Sequence, residues 1–451
     1  MQPDDLLIQT MDNLVQEAYK PNEPGVAVIV VREGEVIYRQ GQGMANLELG
    51  IPIAPDMVFR IGSLTKQFTA VAILMLAEQG KLALNDSITR FLPNYPTHDH
   101  LITVEHLLTH TSGVKSYTAM PEWLPLWRKD FTVQELIDFF KDQPMDFAPG
   151  QRLEYSNSGY ILLGAIIEKA SGQTYEEFIQ RRIFDPLGMK HSYYDSPLRV
   201  TPGRAAGYDK GPDGYTNATY LSMTQPYAAG SLASSVDDLA LWDAALYTGQ
   251  LLKQETLQQA FTAHRLADGS ETQYGYGYGW VTSKLTGHVA ASHGGGIHGF
   301  GSFAIRLPED HVFVAALSNN TGTHPGHLAI KIAAWAIGQL LQEPAPVELN
   351  PEVLARYEGV YESKVLGEVR VTRAGNQLLF QPGQAPPVEL VPFSPNEFFF
   401  KGGSRNPLTF VLDQLTFVSD ANEIVTAFEF RGAIGNPVIA MKVDKSAPGT
   451  G

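Results

Sequence analysis

The chain has 451 residues, 44% apolar and 18% charged, which excludes a disordered polypeptide and leaves room for two or three folded domains. A net charge of −15 opposes phosphate backbones and anionic lipid, so nucleic acid is not an expected partner. Zero cysteines remove disulfides, thiolate metal sites and a thiol nucleophile together.

The opening segment places Leu7, Met11, Leu14 and Ala18 on one helical face and is acidic early, unlike a basic, apolar export signal. As it stands, the sequence reads as cytoplasmic. Beyond Pro21, the run GVAVIVV, the turn-like REGE and VIYRQ predict a β-hairpin. Helical patterns follow at 64–79, 103–110, 133–140, 159–170, 175–184 and 236–247. The longest strongly apolar run, Phe68 to Ala77, falls well short of the roughly 18 residues that a membrane span needs. Strand-like runs return at 301–307 and 312–317, downstream of the glycine- and tyrosine-rich stretch Tyr274 to Trp280. Strands at both ends of a helical block predict an α/β domain, an antiparallel sheet flanked by helices with an inserted helical region. The proline-rich stretch 343–351 reads as a linker between a first domain, 1–342, and a second, 352–451. In the second, the runs YEGVY, EVRVT, QLLF, VELV, EFFF, LTFVL, TAFEF and VIAMKV predict a small all-β barrel or sandwich.

Three local features could carry chemistry. In RIGSLTKQFTAVAILMLAEQG, Ser63 and Lys66 stand three apart at the start of a helix that is apolar almost all round, so they share one face. A lysine withdrawn from water gives up its proton more easily and could accept that of the serine. A capping serine followed by a snorkelling lysine reads the same segment structurally. In LEYSNSGY, Tyr155 and Asn157 stand two apart in non-helical chain; a phenol can relay a proton, and an amide can hold a lysine or a substrate carbonyl. Helix capping and aromatic packing account for the same residues. In ASHGGGIHGFGSFAIRL, His293 precedes Gly294, Gly295 and Gly296 and then a strand. The glycines admit a close backbone, and the Gly296 N–H could oppose that of Ser63 in an oxyanion hole. The GxGxxG match within this stretch is not a dinucleotide fingerprint, because a strand follows it.

Taken together, in this order and spacing, the three features resemble the serine β-lactamase and penicillin-binding-protein superfamily, specifically its class C-like branch with D-aminopeptidase-type peptidases and related esterases. LLTHTSG, APGQRLEYSNSGYILLGAIIEKASG, IFDPLGM and VDDLALW extend the resemblance over roughly 25–330. It implies that Ser63 is acylated, Lys66 accepts its proton, Tyr155 shares in proton transfer, and Asn157 orients Lys66 and the substrate amide. His293-Gly294-Gly295 occupies the Lys-Thr-Gly position, and losing that lysine removes an anchor for a substrate carboxylate. A histidine there could still donate a hydrogen bond. The implied activity is a serine hydrolase acting on short peptides, amides or esters, D-amino acids included, with no cofactor and no metal. A β-lactamase, or a penicillin-binding sensor acylated without turnover, is the alternative. The second domain resembles the lipocalin-like barrel of some peptidases of this branch, where it borders the active-site mouth or supports homo-oligomer contacts. A metal hydrolase built on His98, His100, His106 and His110 lacks the carboxylate of an HExxH pattern, and no GxSxG elbow is present.

Overall fold

The computed structural model describes residues 3–272, 275–339, 346–363, 367–383, 387–400, 414–431 and 438–443. Tyr274, the LTFVL run and positions 343–345 of the expected linker lie outside the described residues. The chain divides into two units, Met1–Gln339 and Leu340–Gly451.

The first unit begins with helix α1 (Pro3–Ala18), then strands β1 (Val26–Arg32) and β2 (Glu35–Gln42). Glu33 and Gly34 both take positive φ, which lets a two-residue turn match the twist of the hairpin. The helical block contains α2 (Thr65–Glu78), α3 (Val104–Leu108), α4 (Val133–Phe140), α5 (Asn157–Ser171) and α6 (Val236–Ala245). Strands β3 (Val281–Leu285), β4 (His288–Ile297), β5 (Phe300–Leu307) and β6 (Val312–Ser318) follow, then α7 (Pro325–Ala336). With the hairpin they form one antiparallel sheet of order β3-β4-β5-β6-β1-β2. Its two halves meet where β1 pairs with β6, Ala27 opposite Leu317 and Ile29 opposite Ala315.

Both faces of this sheet are covered, which is why β1 reads as an unbroken apolar run. Ala27 and Ile29 join the helical core, while the alternate residues Val26, Val28 and Val30 are as deeply buried. Helix α2 is buried at every position from Thr65 to Leu76, as a helix apolar all round requires. Its Phe68 stacks on Trp242 with ring centroids 4.2 Å apart, and Trp242 lies parallel to Trp280. Burying such a ring contributes about 1.5–3 kcal/mol. Thr103 and Thr132 head capping boxes on α3 and α4, and Ser156 caps α5.

Two local features escaped the 3.6-residue pattern. The stretch expected as one helix at 175–184 is α-helical over Tyr175–Ile179 and widens to a π-helix over Gln180–Phe184. The helix Gln254–Ala260 buries only Leu257 and Ala260, too few to mark an apolar face in sequence. No described helix is long and apolar enough to cross a membrane.

The second unit places a short helix (Pro351–Ala355) before β7 (Gly359–Ser363), β8 (Gly367–Ala374), β9 (Gln377–Pro382), β10 (Val388–Pro392), β11 (Glu397–Phe400), β12 (Gln414–Ser419), β13 (Val425–Arg431) and β14 (Val438–Val443). These eight strands close into a barrel. Alternate residues such as Val369 and Val371, or Leu378 and Phe380, point into a core with Tyr361, Phe398, Phe417 and Phe428.

Candidate active site

Ser63 sits in the 3-10 turn Gly62–Leu64 that leads into α2, so its hydroxyl stands at the mouth of the helix while Lys66 lies one turn inside it. Lys66 is fully buried. Its Nζ lies 3.1 Å from Ser63 Oγ, 2.9 Å from Asn157 Oδ1 and 2.8 Å from the Ala229 carbonyl oxygen. Burial holds its pKa well below the ordinary lysine range. The amide oxygen and the carbonyl oxygen only accept, so they take both N–H bonds of a neutral amine. The remaining lone pair then faces the Ser63 hydroxyl.

Tyr155 immediately precedes the α5 cap. Its hydroxyl is close enough to Ser63 to lower the phenol's pKa slightly, and its ring centroid lies 4.7 Å from Lys66 Nζ. Burial raises the phenol's pKa, against a smaller lowering by Ser63, so it remains an O–H donor at neutral pH. Asn157, the first residue of α5, is held from the 116–119 turn: its Nδ2 donates to Thr118 Oγ1 at 3.0 Å and its backbone N–H to Ser116 Oγ at 3.1 Å.

The fourth component is the far end of β4. Its partner β3 reaches only to Ser292, paired with Val281, whereas β5 continues alongside His293–Ile297. Among the described strands, that stretch of β4 therefore has one open edge. The three glycines, expected to precede a strand, lie within one. A Cβ built on Gly295 would lie 2.1 Å from the Ile61 carbonyl oxygen and 3.0 Å from Ser63 N, and one on Gly62 would lie 3.1 Å from Gly296 N. Only bare backbone lets the strand and the Ser63 turn approach this closely.

His293 is buried and turned inward. Its Nδ1 is 2.6 Å from the Gly294 carbonyl oxygen and its Nε2 is 3.0 Å from the Tyr276 hydroxyl. Burial, with Lys66 nearby, pushes its pKa down to about 3, so the imidazole is neutral. The hydrogen bond that sequence reasoning allowed this histidine to give a substrate is spent inside the protein, because both ring nitrogens are engaged there.

Two further residues pack against these groups: Tyr276, which had no role in the sequence reading, and His110, which entered it only as a metal candidate. His110 stacks on Tyr155 with centroids 4.3 Å apart, and its Nδ1 accepts the Ser156 N–H at 3.1 Å. His106, its supposed metal partner, instead accepts the Thr103 N–H in the α3 capping box. Tyr276, fully buried, packs 4.7 Å from the His110 ring. The alternation of glycine with Tyr276 and Tyr278 was the available signal, since an extended chain sends both rings to one side. Beside the glycine stretch of β4 lies a cavity of about 450 Å³ bordered by Trp127, Asp209, Gly295, Gly296, Ile297 and Phe300, with no lysine or arginine among its described lining residues.

Residues 8–339 match the Beta-lactamase family, so the chain belongs to it and with it to the serine hydrolase superfamily. Among relatives, penicillin-binding protein 4* of Bacillus subtilis (strain 168) is 29% identical over 421 residues, covering 87% of this chain and 91% of that protein. The octameric penicillin-binding protein homologue from Pyrococcus abyssi superposes with a TM-score of 0.67 at 27% identity, over 96% of this chain and 99% of that one. The D-amino acid amidase from Ochrobactrum anthropi SV3 complexed with L-phenylalanine amide gives a TM-score of 0.62 at 27% identity, over 73% and 99%.

Proposed function

We propose that the protein hydrolyses short peptides, amino-acid amides or related esters through a covalent ester at Ser63. Neutral Lys66 takes the hydroxyl proton as Ser63 Oγ attacks the substrate carbonyl carbon. The N–H groups of Ser63 and Gly296 receive the oxyanion. Tyr155 passes the proton from Lys66 to the leaving nitrogen or oxygen as that bond breaks, leaving the acyl group on Ser63. Water then attacks the ester, giving its proton through the same pair, and Ser63 is regenerated. Asn157 keeps Lys66 in place and has a second Nδ2 N–H to offer a substrate carbonyl. The observation that carries this reading is the hydrogen bonding of Lys66, which leaves a neutral amine's lone pair only the Ser63 hydroxyl to meet.

The preference for acyl donors without a carboxylate over carboxylate-bearing β-lactams rests on the neutral, inward-facing His293 and on a neighbouring cavity that contains Asp209 and no lysine or arginine among its described residues. The amidase relative acts on substrates of this class by its name.

Ser63→Ala is expected to lower kcat by about 10⁴-fold or more on amino-acid p-nitroanilides and a p-nitrophenyl ester, with an unchanged unfolding midpoint. Intact-mass measurement should show an acyl adduct that forms and decays in the wild type and is absent in the variant. Retained turnover would remove Ser63 from the chemistry. A persistent adduct without repeated turnover would make the protein an acylated sensor.

A further inference from the structure

Tyr276 lies in the loop ahead of β3 and takes no step in the acyl transfer above. Its hydroxyl meets His293 Nε2 at 3.0 Å, and the other ring nitrogen meets the Gly294 carbonyl oxygen at 2.6 Å. A carbonyl oxygen cannot donate, so Nδ1 carries a proton. A second proton on Nε2 would place a cation in a buried site that already faces Lys66 from α2, His110 from beyond α3 and Tyr155 from before α5. Nε2 therefore presents its lone pair, and the Tyr276 O–H donates to it. The opposite tautomer would set a lone pair of Nδ1 against those of the Gly294 oxygen at the same short separation.

We propose that Tyr276 is a positioning residue for acyl transfer: its hydroxyl, acting with the Gly294 carbonyl, secures the ring and the Nδ1–H tautomer of His293, which holds the Gly294–Gly295 peptide against the Ser63 turn. Gly295 is the residue whose Cβ position falls 3.0 Å from Ser63 N, so an altered peptide angle is felt directly at the nucleophile's amide. The kinetic consequence rests on the acyl-enzyme reading; the tautomer does not.

Tyr276→Phe keeps the ring and its packing on His110 and removes the hydroxyl, with its interactions with His293 and Tyr160. Imidazole ¹⁵N spectra of the full-length protein, with the His293 signals identified by their loss in His293→Asn, should show the Nδ1–H pattern in the wild type. An added Nε2–H population is expected in Tyr276→Phe, where the Gly294 carbonyl is left to hold the tautomer alone. With it, kcat on a neutral p-nitrophenyl ester should fall about tenfold, with KM within about twofold. In the His293→Asn background, where no tautomer exists to select, Tyr276→Phe should cost little further, so the two losses are non-additive. An unshifted tautomer, a shifted tautomer with full kcat, or additive losses would each overturn the proposal. If Tyr276→Phe fails to fold alone, additivity read from Tyr276→Leu in both backgrounds decides the same point. Turnover surviving Ser63→Ala would sink the acyl-enzyme reading while leaving the tautomer result standing.

Discussion

Protonating Lys66 fills the lone pair that faces Ser63, so activity should disappear below the lysine's pKa, which burial moves down from the ordinary value of about 10.4. On an ester with no titrating group of its own, kcat/KM is expected to rise with pH through a limb well below that value and then level off. A limb at the ordinary lysine pH, or activity that survives Lys66→Met, contradicts a proton-accepting amine. The same shift opposes folding: the unfolded chain binds the Lys66 proton more readily, so this group's contribution to stability rises with pH up to the ordinary lysine range. His293, held near 3, adds no limb of its own around neutrality. Ser63 with Lys66, and Tyr155 with Asn157, were legible as pairs from their spacing, and only the family resemblance joined the two pairs into one candidate site. Tyr276 and His110 were not, since their roles arise from rings brought together by packing between segments remote in sequence.

Strand β4 shows why glycine misled at the level of the element. A run of three usually weakens a strand, yet here the absent side chains are what let β4 lie against the Ser63 turn while keeping its ladder with β5. The last two glycines of the run should therefore respond differently. Gly295→Ala is expected to cost about 1–3 kcal/mol, because its methyl meets the fixed Ile61 carbonyl, and to reduce turnover by displacing Ser63. Gly296→Ala, whose Cβ meets nothing within 4 Å, should stay within about 0.5 kcal/mol of the wild type. Chemical denaturation of the two variants compares them; equal losses would mean that the close approach is not what requires glycine at 295. The helices posed less difficulty, and α4 follows its sequence pattern residue for residue because capping by Thr132 marks its start unambiguously. The π-helical turn at 180–184 was hidden because a one-residue change of pitch leaves Ile183 and Phe184 apolar and buried as before.

For the whole molecule, the sheet and the barrel were readable for different reasons. Paired apolar runs at both ends of a helical block indicated one sheet with an insertion, though not that β1 pairs with β6, whereas the close spacing of the later runs pointed to a barrel or sandwich and the structure closes it into a barrel. Assembly left no comparable pattern in the sequence. The resemblance of the second domain leads to an expectation of homo-oligomers, and the homologue from Pyrococcus abyssi that aligns with 96% of this chain is itself octameric. Light scattering on the purified protein should give a native mass several times the 49.4 kDa of one chain. A monomer throughout the micromolar range rejects that expectation. The placement of the indole rings has a practical consequence for any such work. All five tryptophans lie at or before position 335, two of them stacked on each other with one against Phe68, and the barrel unit has none. Indole fluorescence therefore watches the first unit alone, while peptide-bond circular dichroism watches both. The separation between two melting traces from one sample thus reports directly whether the halves come apart together.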